Sequence, residues 1–254
     1  MSSRLAGADA LESRLRAPGT AIVPYLTGGY PSLAVFGEAL SALSGSEAVE
    51  IGIPFSDPMA DGATIQESSR VALEAGASLD SILTTVQALG RVGTELIIMS
   101  YLNPLMAFGY AHLLPRLAEA GVSALVVPDL PLEESGELGA VSREHGIGLV
   151  QLVSPLTSQE RLKVLGKASE GFTYAVTMTG TTGGTIGGGE EVTGYLDRVR
   201  AASRPPVLAG FGVRTVEQVR ALGPHCDGVI VGSALVEVIA AGEDPVEFVA
   251  GLKP

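Results

Sequence analysis

The stretch AVEIGIPFSDPMADG at residues 48–62 joins a short apolar run to a loop rich in proline and glycine. The run at 48–53 is rich in Val and Ile and too short for a helix, which is typical of a strand buried on both faces. Pro54, Pro58 and Gly62 hold the loop that follows. The stretch therefore predicts a buried strand that delivers a loop at its carboxyl end.

Seven other apolar runs of the same kind occur along the chain, separated by longer amphipathic stretches. Together with 48–53, the predicted strands are 21–26, 96–101, 124–127, 148–153, 172–176, 206–209 and 228–231. Helical patterns lie between them, as at 33–43, 81–92, 111–120 and 160–168. Strand and helix alternating eight times predict a parallel (β/α)8 TIM barrel, with a doubly wound open sheet as the alternative.

Local signals mark where helices begin and end. Thr157 with Glu160 and Thr215 with Gln218 predict capping boxes at two helix starts. Glycines stand where helices are expected to stop, at 121, 146 and 223. The chain has 254 residues, which suits one barrel, and no composition break marks a linker. We therefore expect a single (β/α)8 domain over residues 1–254.

The overall composition narrows the class of protein. Apolar residues make up 46% and the formal net charge is −12, which argues against nucleic acid and anionic membranes as partners. The single cysteine, Cys226, cannot form an internal disulfide, which fits a reducing compartment. The amino-terminal residues 1–17 resemble neither a signal peptide nor a membrane anchor. We expect a cytoplasmic protein without a membrane-spanning segment.

Carboxylate side chains stand at the carboxyl ends of the predicted strands, where barrel enzymes carry their sites. Glu50 lies inside an apolar strand, where burial disfavours the ion and raises its pKa towards neutrality, as a general acid or base requires. The alternatives are a structural Glu satisfied by backbone donors and a surface Glu on a misassigned strand. Asp61 and Asp57 follow strand two, where their positions alone favour a role in turns over catalysis, and Asp129 follows strand four, where a loop anchor is the alternative.

Three glycine-rich loops predict a phosphate site. They follow strands six, seven and eight and comprise 179–184, 210–212 and the pair Gly232-Ser233, where a short helix is expected to begin. Loops seven and eight, together with an extra helix amino terminus, form the recurrent phosphate site of barrels. Glycine lets backbone N–H groups approach the anion closely. A phosphorylated ligand is therefore predicted.

Other catalytic side chains are missing from the predicted strand ends. The lysines and histidines are Lys163, Lys167, Lys253, His112, His145 and His225. None follows a strand directly, so neither a Schiff-base mechanism nor a histidine metal site is expected. The mechanism that remains for this chain is acid–base catalysis by carboxylate groups on a phosphate ester.

Several segments, collinear over almost the whole chain, resemble the family of tryptophan synthase alpha subunits. They are 24–31, 49–62, 101–104, 128–131, 210–213 and 228–234. The resemblance implies cleavage of indole-3-glycerol phosphate to indole and glyceraldehyde 3-phosphate by a retro-aldol reaction. Glu50 is then expected to shuttle protons between the substrate hydroxyl and indole C3. Asp61 is expected to hydrogen-bond the indole N–H.

The resemblance also assigns roles to other residues. Thr182 corresponds to a threonine that closes over the site and orients Asp61, and Tyr174 to a tyrosine near the catalytic glutamate. Phosphate binding is implied for the backbone at Gly183, Gly212, Gly232 and Ser233. The expected apolar slot for indole consists of Ile22, Tyr101, Val126 and Phe211. Asp57 corresponds to a residue used towards a beta partner.

The family resemblance implies a heterotetramer of two alpha and two beta subunits, with pyridoxal phosphate in the beta subunit and none in this chain. The chain departs from the family pattern at Glu47 and Ile22, and at 183–189, where five of seven residues are glycine. A loop of that composition is costly to order, so we expect it to be disordered without ligand.

One alternative to the lyase function is a weakly active or inactive subunit that mainly activates its partner. Another is a different phosphate-binding barrel, such as a sugar-phosphate epimerase or indole-glycerol-phosphate synthase, which the missing strand-end Lys and His disfavour.

Overall fold

Eight parallel strands form a closed barrel in chain order in the computed structural model, which describes residues 5–90, 93–177, 189–210 and 212–254. β1 pairs with both β2 and β8, which closes the sheet. The strands are β1 Ala21–Thr27, β2 Ala48–Gly52, β3 Glu95–Met99, β4 Val122–Val126, β5 Gly148–Val153, β6 Thr173–Val176, β7 Val207–Gly210 and β8 Gly228–Val231. The predicted barrel is confirmed, and the open sheet is excluded.

Helices cover the outside of the barrel. They are α1 Ala6–Leu15, α2 Leu33–Ala42, α3 Ala63–Glu74, α4 Leu79–Ala88, α5 Leu102–Phe108, α6 Tyr110–Glu119, α7 Gly136–Glu144, α8 Gln159–Ala168, α9 Glu190–Ala202, α10 Val216–Leu222, α11 Ser233–Ala241 and α12 Pro245–Gly251. Among the described residues, no helix has the length and apolar character needed to cross a membrane.

One of the two predicted capping boxes is wrong. α8 begins at Gln159 and is capped by Ser158, whose hydroxyl accepts from the backbone N–H of Arg161. The Thr157 hydroxyl instead accepts from the backbone N–H of Ser154 at 2.9 Å and closes the preceding turn. Thr157 and Ser158 both have a hydroxyl group that can cap a helix, so the sequence alone did not show which of the two precedes α8. The other box is confirmed, since Thr215 and Gln218 cap α10 reciprocally.

The side chains of the strands alternate between two apolar layers. Val23 and Tyr25 belong to the cluster inside the barrel, while Ile22 and Leu26 belong to the cluster between strands and helices. This alternation is the period of two expected of β-strands. Leu11 of α1 packs on the interior cluster, and α1 contacts β2, β3 and β4. α1 therefore covers the amino-terminal end of the barrel, and the site lies at the carboxyl ends of the strands.

Candidate active site

A cavity of about 440 Å³, part of it open to solvent, lies at the carboxyl ends of the strands. Its lining comes from β1, β3, β6 and β8 and from the segments that follow β2, β7 and β8. The lining residues are Tyr25, Asp61, Gly62, Ile65, Met99, Tyr174, Gly212, Ile230, Gly232 and Ser233. Its size and its mixture of apolar walls with a few polar groups are typical of a small-molecule site.

Glu50 is the most unusual buried group near this cavity. Its neighbours Val49 and Ile51 lie in the outer layer, so alternation turns the Glu50 side chain into the barrel. The side chain is completely buried, and neither carboxyl oxygen has a hydrogen-bond partner among the described residues. Burial raises the pKa of Glu50 from 4.5 to about 8, with a further contribution from the charge of Asp61. Neither a surface position nor satisfaction by backbone donors describes Glu50, which is protonated at neutral pH.

Asp61 lines the cavity and is 8% exposed. Burial raises its pKa from 3.8 to about 6, while a hydrogen bond from the Tyr101 hydroxyl opposes the shift. The same hydroxyl oxygen accepts the backbone N–H of Ala60 at 2.9 Å, and Gln66 Nε2 donates to the Asp61 carbonyl at 2.8 Å. These bonds hold Asp61 on both sides. At neutral pH Asp61 is largely ionised beside a protonated Glu50, which is the separation that acid–base chemistry uses.

Two buried tyrosines cross the interior at positions where the neighbouring strand has glycine. A Cβ atom at Gly52 would stand 1.9 Å from the Tyr25 hydroxyl oxygen, and a Cβ at Gly210 would stand 2.3 Å from Cε1 of Tyr174. Both distances are far below van der Waals contact, so only glycine fits there. The ionised forms of Glu50 and Asp61 raise the pKa of both tyrosines, after the larger effect of burial. The two phenols therefore stay neutral and able to donate hydrogen bonds.

Backbone groups of the kind that bind anions also line the cavity. α11 begins at Ser233 with Gly232 at its cap position, and within the described part of the chain no side chain caps it. The first N–H groups of a helix lack intrahelical acceptors and lie at the positive end of its dipole. Gly212 has φ of +92°, a conformation that favours glycine. Gly212, Gly232 and Ser233 line the same cavity, and phosphate binding by their backbone stays a prediction.

The predicted position of Ile22 is wrong. Ile22 belongs to the outer apolar layer, near the amino-terminal end of β1 and away from the cavity. Tyr25 lies three positions further along β1, so its side chain points to the opposite face, into the barrel. It is also closer to the carboxyl end of the strand, and it lines the cavity instead. Sequence reasoning missed Tyr25 because every residue of β1 is buried, so hydrophobicity does not distinguish the two faces. The available signal was its proximity to the carboxyl end of the strand.

The other predicted slot residues have different surroundings. Tyr101 lies outside the cavity lining and bonds Asp61, with its ring centroid 5.2 Å from that of Phe55. Val126 belongs to the interior cluster but does not line the cavity. Tyr174 lines it. Phe211, Thr182 and Gly183 lie outside the described residues. The prediction that the glycine-rich loop at 183–189 is disordered without ligand also concerns residues that are mostly outside them.

The remaining carboxylates hold loops at the same end of the barrel. Asp129 Oδ1 accepts the backbone N–H of Leu102 at 2.9 Å, which makes it the loop anchor that one sequence interpretation gave it. Asp57 is exposed and accepts a hydrogen bond from the Ser56 hydroxyl at 2.5 Å. Met59 in the same loop is 77% exposed. This loop, which also carries Asp61, presents polar and apolar groups outward at Asp57 and Met59.

Fold and site together define a (β/α)8 barrel with two buried carboxyl groups of different pKa beside a cavity that the amino terminus of α11 also lines. The sequence model of the family described as tryptophan synthase alpha chain matches residues 12–252. Relatives of that name from Bacillus cereus and Deinococcus radiodurans are each 40% identical to this chain. The alignments cover 92% of this chain and 92% of the first relative, and 88% of this chain and 84% of the second.

Solved structures give the same result. A tryptophan synthase structure from Mycobacterium tuberculosis superposes with a TM-score of 0.85 at 34% identity, covering 100% of both chains. A structure of the tryptophan synthase α2β2 complex of Pyrococcus furiosus has a TM-score of 0.85 at 37% identity, covering 92% of this chain and 98% of that chain. This chain belongs to the tryptophan synthase alpha chain family.

Proposed function

We propose that this protein is a lyase of tryptophan biosynthesis that cleaves indole-3-glycerol phosphate to indole and glyceraldehyde 3-phosphate. The observation that carries the proposal is Glu50, a completely buried carboxyl group without a hydrogen-bond partner among the described residues. A buried carboxyl group without hydrogen bonds destabilises the fold, which favours a functional role for Glu50. Glu50 also lies close to the cavity that Asp61 lines, in a chain that belongs to this family.

The proposed reaction begins with Glu50 as an acid. Its carboxyl group gives its proton to indole C3, and the ring takes up positive charge. Asp61, largely ionised at neutral pH, accepts a hydrogen bond from the indole N–H and stabilises that charge. The Glu50 carboxylate then removes the proton from the hydroxyl on the carbon attached to C3. That carbon becomes the aldehyde as the C–C bond breaks, its electrons return to the ring, and Glu50 is again protonated.

The phosphate is assigned to the wall formed by Gly212, Gly232 and Ser233. No Lys or Arg belongs to the described lining of the cavity, so the backbone N–H groups and the positive end of α11 supply the attraction. Such a local site is compatible with the formal net charge of −12, because exposed charges are screened over about 8 Å at physiological salt. Tyr25 extends from Gly232 towards Gly52 of β2.

The partner is assigned from the Pyrococcus furiosus structure, whose description names an α2β2 complex with mutual activation. We infer that this chain also joins a beta subunit and delivers indole to it, with pyridoxal phosphate bound in the partner. The exposed loop with Asp57 and Met59 is the surface we assign to that contact. Location in the cytoplasm and a single domain over residues 1–254 stay predictions.

Product stoichiometry tests the proposed reaction. The purified protein is incubated with indole-3-glycerol phosphate, and indole and glyceraldehyde 3-phosphate are both quantified. We expect equal amounts of the two products. Indole without the aldehyde, or loss of substrate without indole, would contradict a retro-aldol cleavage.

A further inference from the structure

The Tyr25 side chain connects the two ends of the cavity. The start of the side chain lies against Gly232, where an added Cβ atom would stand 3.7 Å from Cβ, Cγ and Cδ1 of Tyr25, and its hydroxyl lies over Gly52. Gly52 is the next interior position after Glu50 on β2, and Tyr25 itself is the register partner of Glu50. The phenol therefore reaches the part of β2 where the Glu50 side chain enters the barrel.

The Tyr25 hydroxyl has a resting partner that fixes its proton. It shares a hydrogen bond with the Thr27 hydroxyl, which lies 2.7 Å from the Ser68 hydroxyl, and Ser68 donates to the carbonyl of Ile65 at 2.9 Å. Each hydroxyl has one proton, and the chain ends in a carbonyl that only accepts. With Ser68 donating to Ile65, one proton per hydroxyl leaves Thr27 as the donor to Ser68 and Tyr25 as the donor to Thr27 while the phenol is neutral. Rotation about the phenol C–O bond redirects the last proton without moving the ring.

Glu50 needs a donor during the proposed reaction. Between its two proton transfers it is a carboxylate in a site without hydrogen-bond partners among the described residues, which is unfavourable for an ion. The titratable groups that act electrostatically on this region are Asp61, Tyr25, Tyr174 and Tyr101. Asp61 is an anion, and Tyr101 is bonded to Asp61 and Ala60. The tyrosines on β1 and β6 are left as donors.

We propose that the Tyr25 hydroxyl is a positioning group that turns from Thr27 to donate a hydrogen bond to the Glu50 carboxylate each time Glu50 gives up its proton. This inference rests on the proposed function, in which Glu50 alternates between acid and anion. Tyr25 thereby lowers the barrier to the first proton transfer and holds the carboxylate in place for the second. It exchanges no proton with the substrate.

Tyr25→Phe removes the donor and keeps the ring that forms the wall. The matched control is Tyr195→Phe, which deletes a buried hydroxyl that donates to the Val153 carbonyl at 2.9 Å outside the cavity lining. The measurement is the pH dependence of kcat and kcat/KM for indole release by both variants and the unmodified protein. We expect Tyr25→Phe to lower kcat on the order of tenfold, the effect of one hydrogen bond to an ion, with KM within about threefold.

The pH profile distinguishes positioning from mere packing. Without the donor the Glu50 anion is less stable, so the pKa of Glu50 rises and Glu50 remains an acid to higher pH. The alkaline decline of activity should therefore move up by about one pH unit in Tyr25→Phe, although the rate is lower. Tyr195→Phe should leave kcat, KM and this decline unchanged. A lower rate with an unmoved alkaline decline, or an unchanged rate, would overturn the proposal.

An infrared titration of the buried carboxyl group separates this inference from the proposed function. The C=O stretch of protonated Glu50 is assigned as the band lost in Glu50→Gln, and its disappearance with rising pH gives the pKa without turnover. A higher pKa in Tyr25→Phe than in the unmodified protein supports the hydrogen bond even if no indole forms. Equal values in the two proteins contradict the inference even if the lyase is active.

Discussion

Glu50 and Asp61 have the same functional group, and their surroundings separate their pKa values. Glu50 is completely buried without a hydrogen-bond partner among the described residues, and its pKa is about 8. Asp61 lines the cavity and receives the Tyr101 hydroxyl, which holds its pKa at about 6. In the proposed reaction one group is the acid and the other the anion. The hydrogen bond from Tyr101 keeps the two pKa values apart by lowering that of Asp61.

The burial of Glu50 predicts a pH-dependent loss of stability. Its pKa is 4.5 when unperturbed and about 8 in the folded protein, so both states are protonated below pH 4.5 and the cost is absent there. As pH rises towards 8, the unfolded state ionises first and the folded state loses stability, by about 1.4 kcal/mol per unit of pKa difference. Chemical denaturation of the unmodified protein and Glu50→Gln should show the variant gaining relative stability from pH 5 to 8. A constant difference would contradict the raised pKa.

Removing the charge of Asp61 predicts a shift in the opposite direction to that of Tyr25→Phe. The Asp61 anion contributes to the raised pKa of Glu50, so Asp61→Asn should lower it and move the alkaline decline of kcat/KM to lower pH. Loss of the charge that stabilises the indole ring should also reduce kcat by about 100-fold. Asp57→Asn, which changes an exposed carboxylate, is the control and should leave the isolated subunit's profile in place. An alkaline decline that moves up would show that Asp61 does not act on Glu50 as described.

Sequence reasoning found Glu50 but not Tyr25, for a physical reason. A carboxylate between Val49 and Ile51 conflicts with its surroundings, and such a conflict is visible in one sequence. Tyr25 causes no conflict, since a tyrosine is acceptable on either face of a fully buried strand. Deciding which side chains of β1 point into the barrel required the register between strands, which cannot be read from one sequence. The pKa difference between Glu50 and Asp61 depends on the position of Tyr101, which was equally inaccessible.

At the scale of the elements, β2 and β7 have glycine where a tyrosine from another strand crosses. This pairing constrains Gly52 and Tyr25 together, and likewise Gly210 and Tyr174. The sequence predicted the strands themselves within two residues at every end. It gave no reason for these two glycines, because the clash that excludes a side chain comes from a distant part of the chain.

Gly52→Ala tests this packing. Its Cβ would stand 1.9 Å from the Tyr25 hydroxyl, so the phenol must move, with an expected cost of about 1–3 kcal/mol and reduced indole release. Gly194→Ala is the control, because no atom of the described residues lies within 4 Å of its added Cβ in α9. Alanine there should stabilise the protein by about 0.5–1 kcal/mol with activity unchanged. The two variants are compared by chemical denaturation and by turnover. Equal stabilities for both variants would contradict the close approach of Tyr25 to β2.

At the scale of the whole molecule, barrel closure brings residues from distant parts of the chain to one end. Tyr25, Asp61, Tyr174 and Ser233 line one cavity although they come from the first, second, sixth and eighth strand units. α1 covers the opposite end, which leaves the carboxyl ends of the strands as the site. Eight apolar runs predicted this architecture, since parallel strands alternating with helices have few ways to pack. The exposed loop with Asp57 and Met59 adds the surface on which we place the partner.

The most direct test is indole release from indole-3-glycerol phosphate by the unmodified protein and Glu50→Gln, each with and without a beta subunit. The variant keeps the volume of the side chain and removes its proton, so we expect at least a 100-fold lower kcat and substrate-analogue affinity within about tenfold. We expect indole release that the beta subunit stimulates and that vanishes in Glu50→Gln. Normal release by Glu50→Gln would remove Glu50 from the mechanism. No indole from the unmodified protein under either condition, with the partner's own reaction still stimulated, would instead show a subunit that only activates its partner.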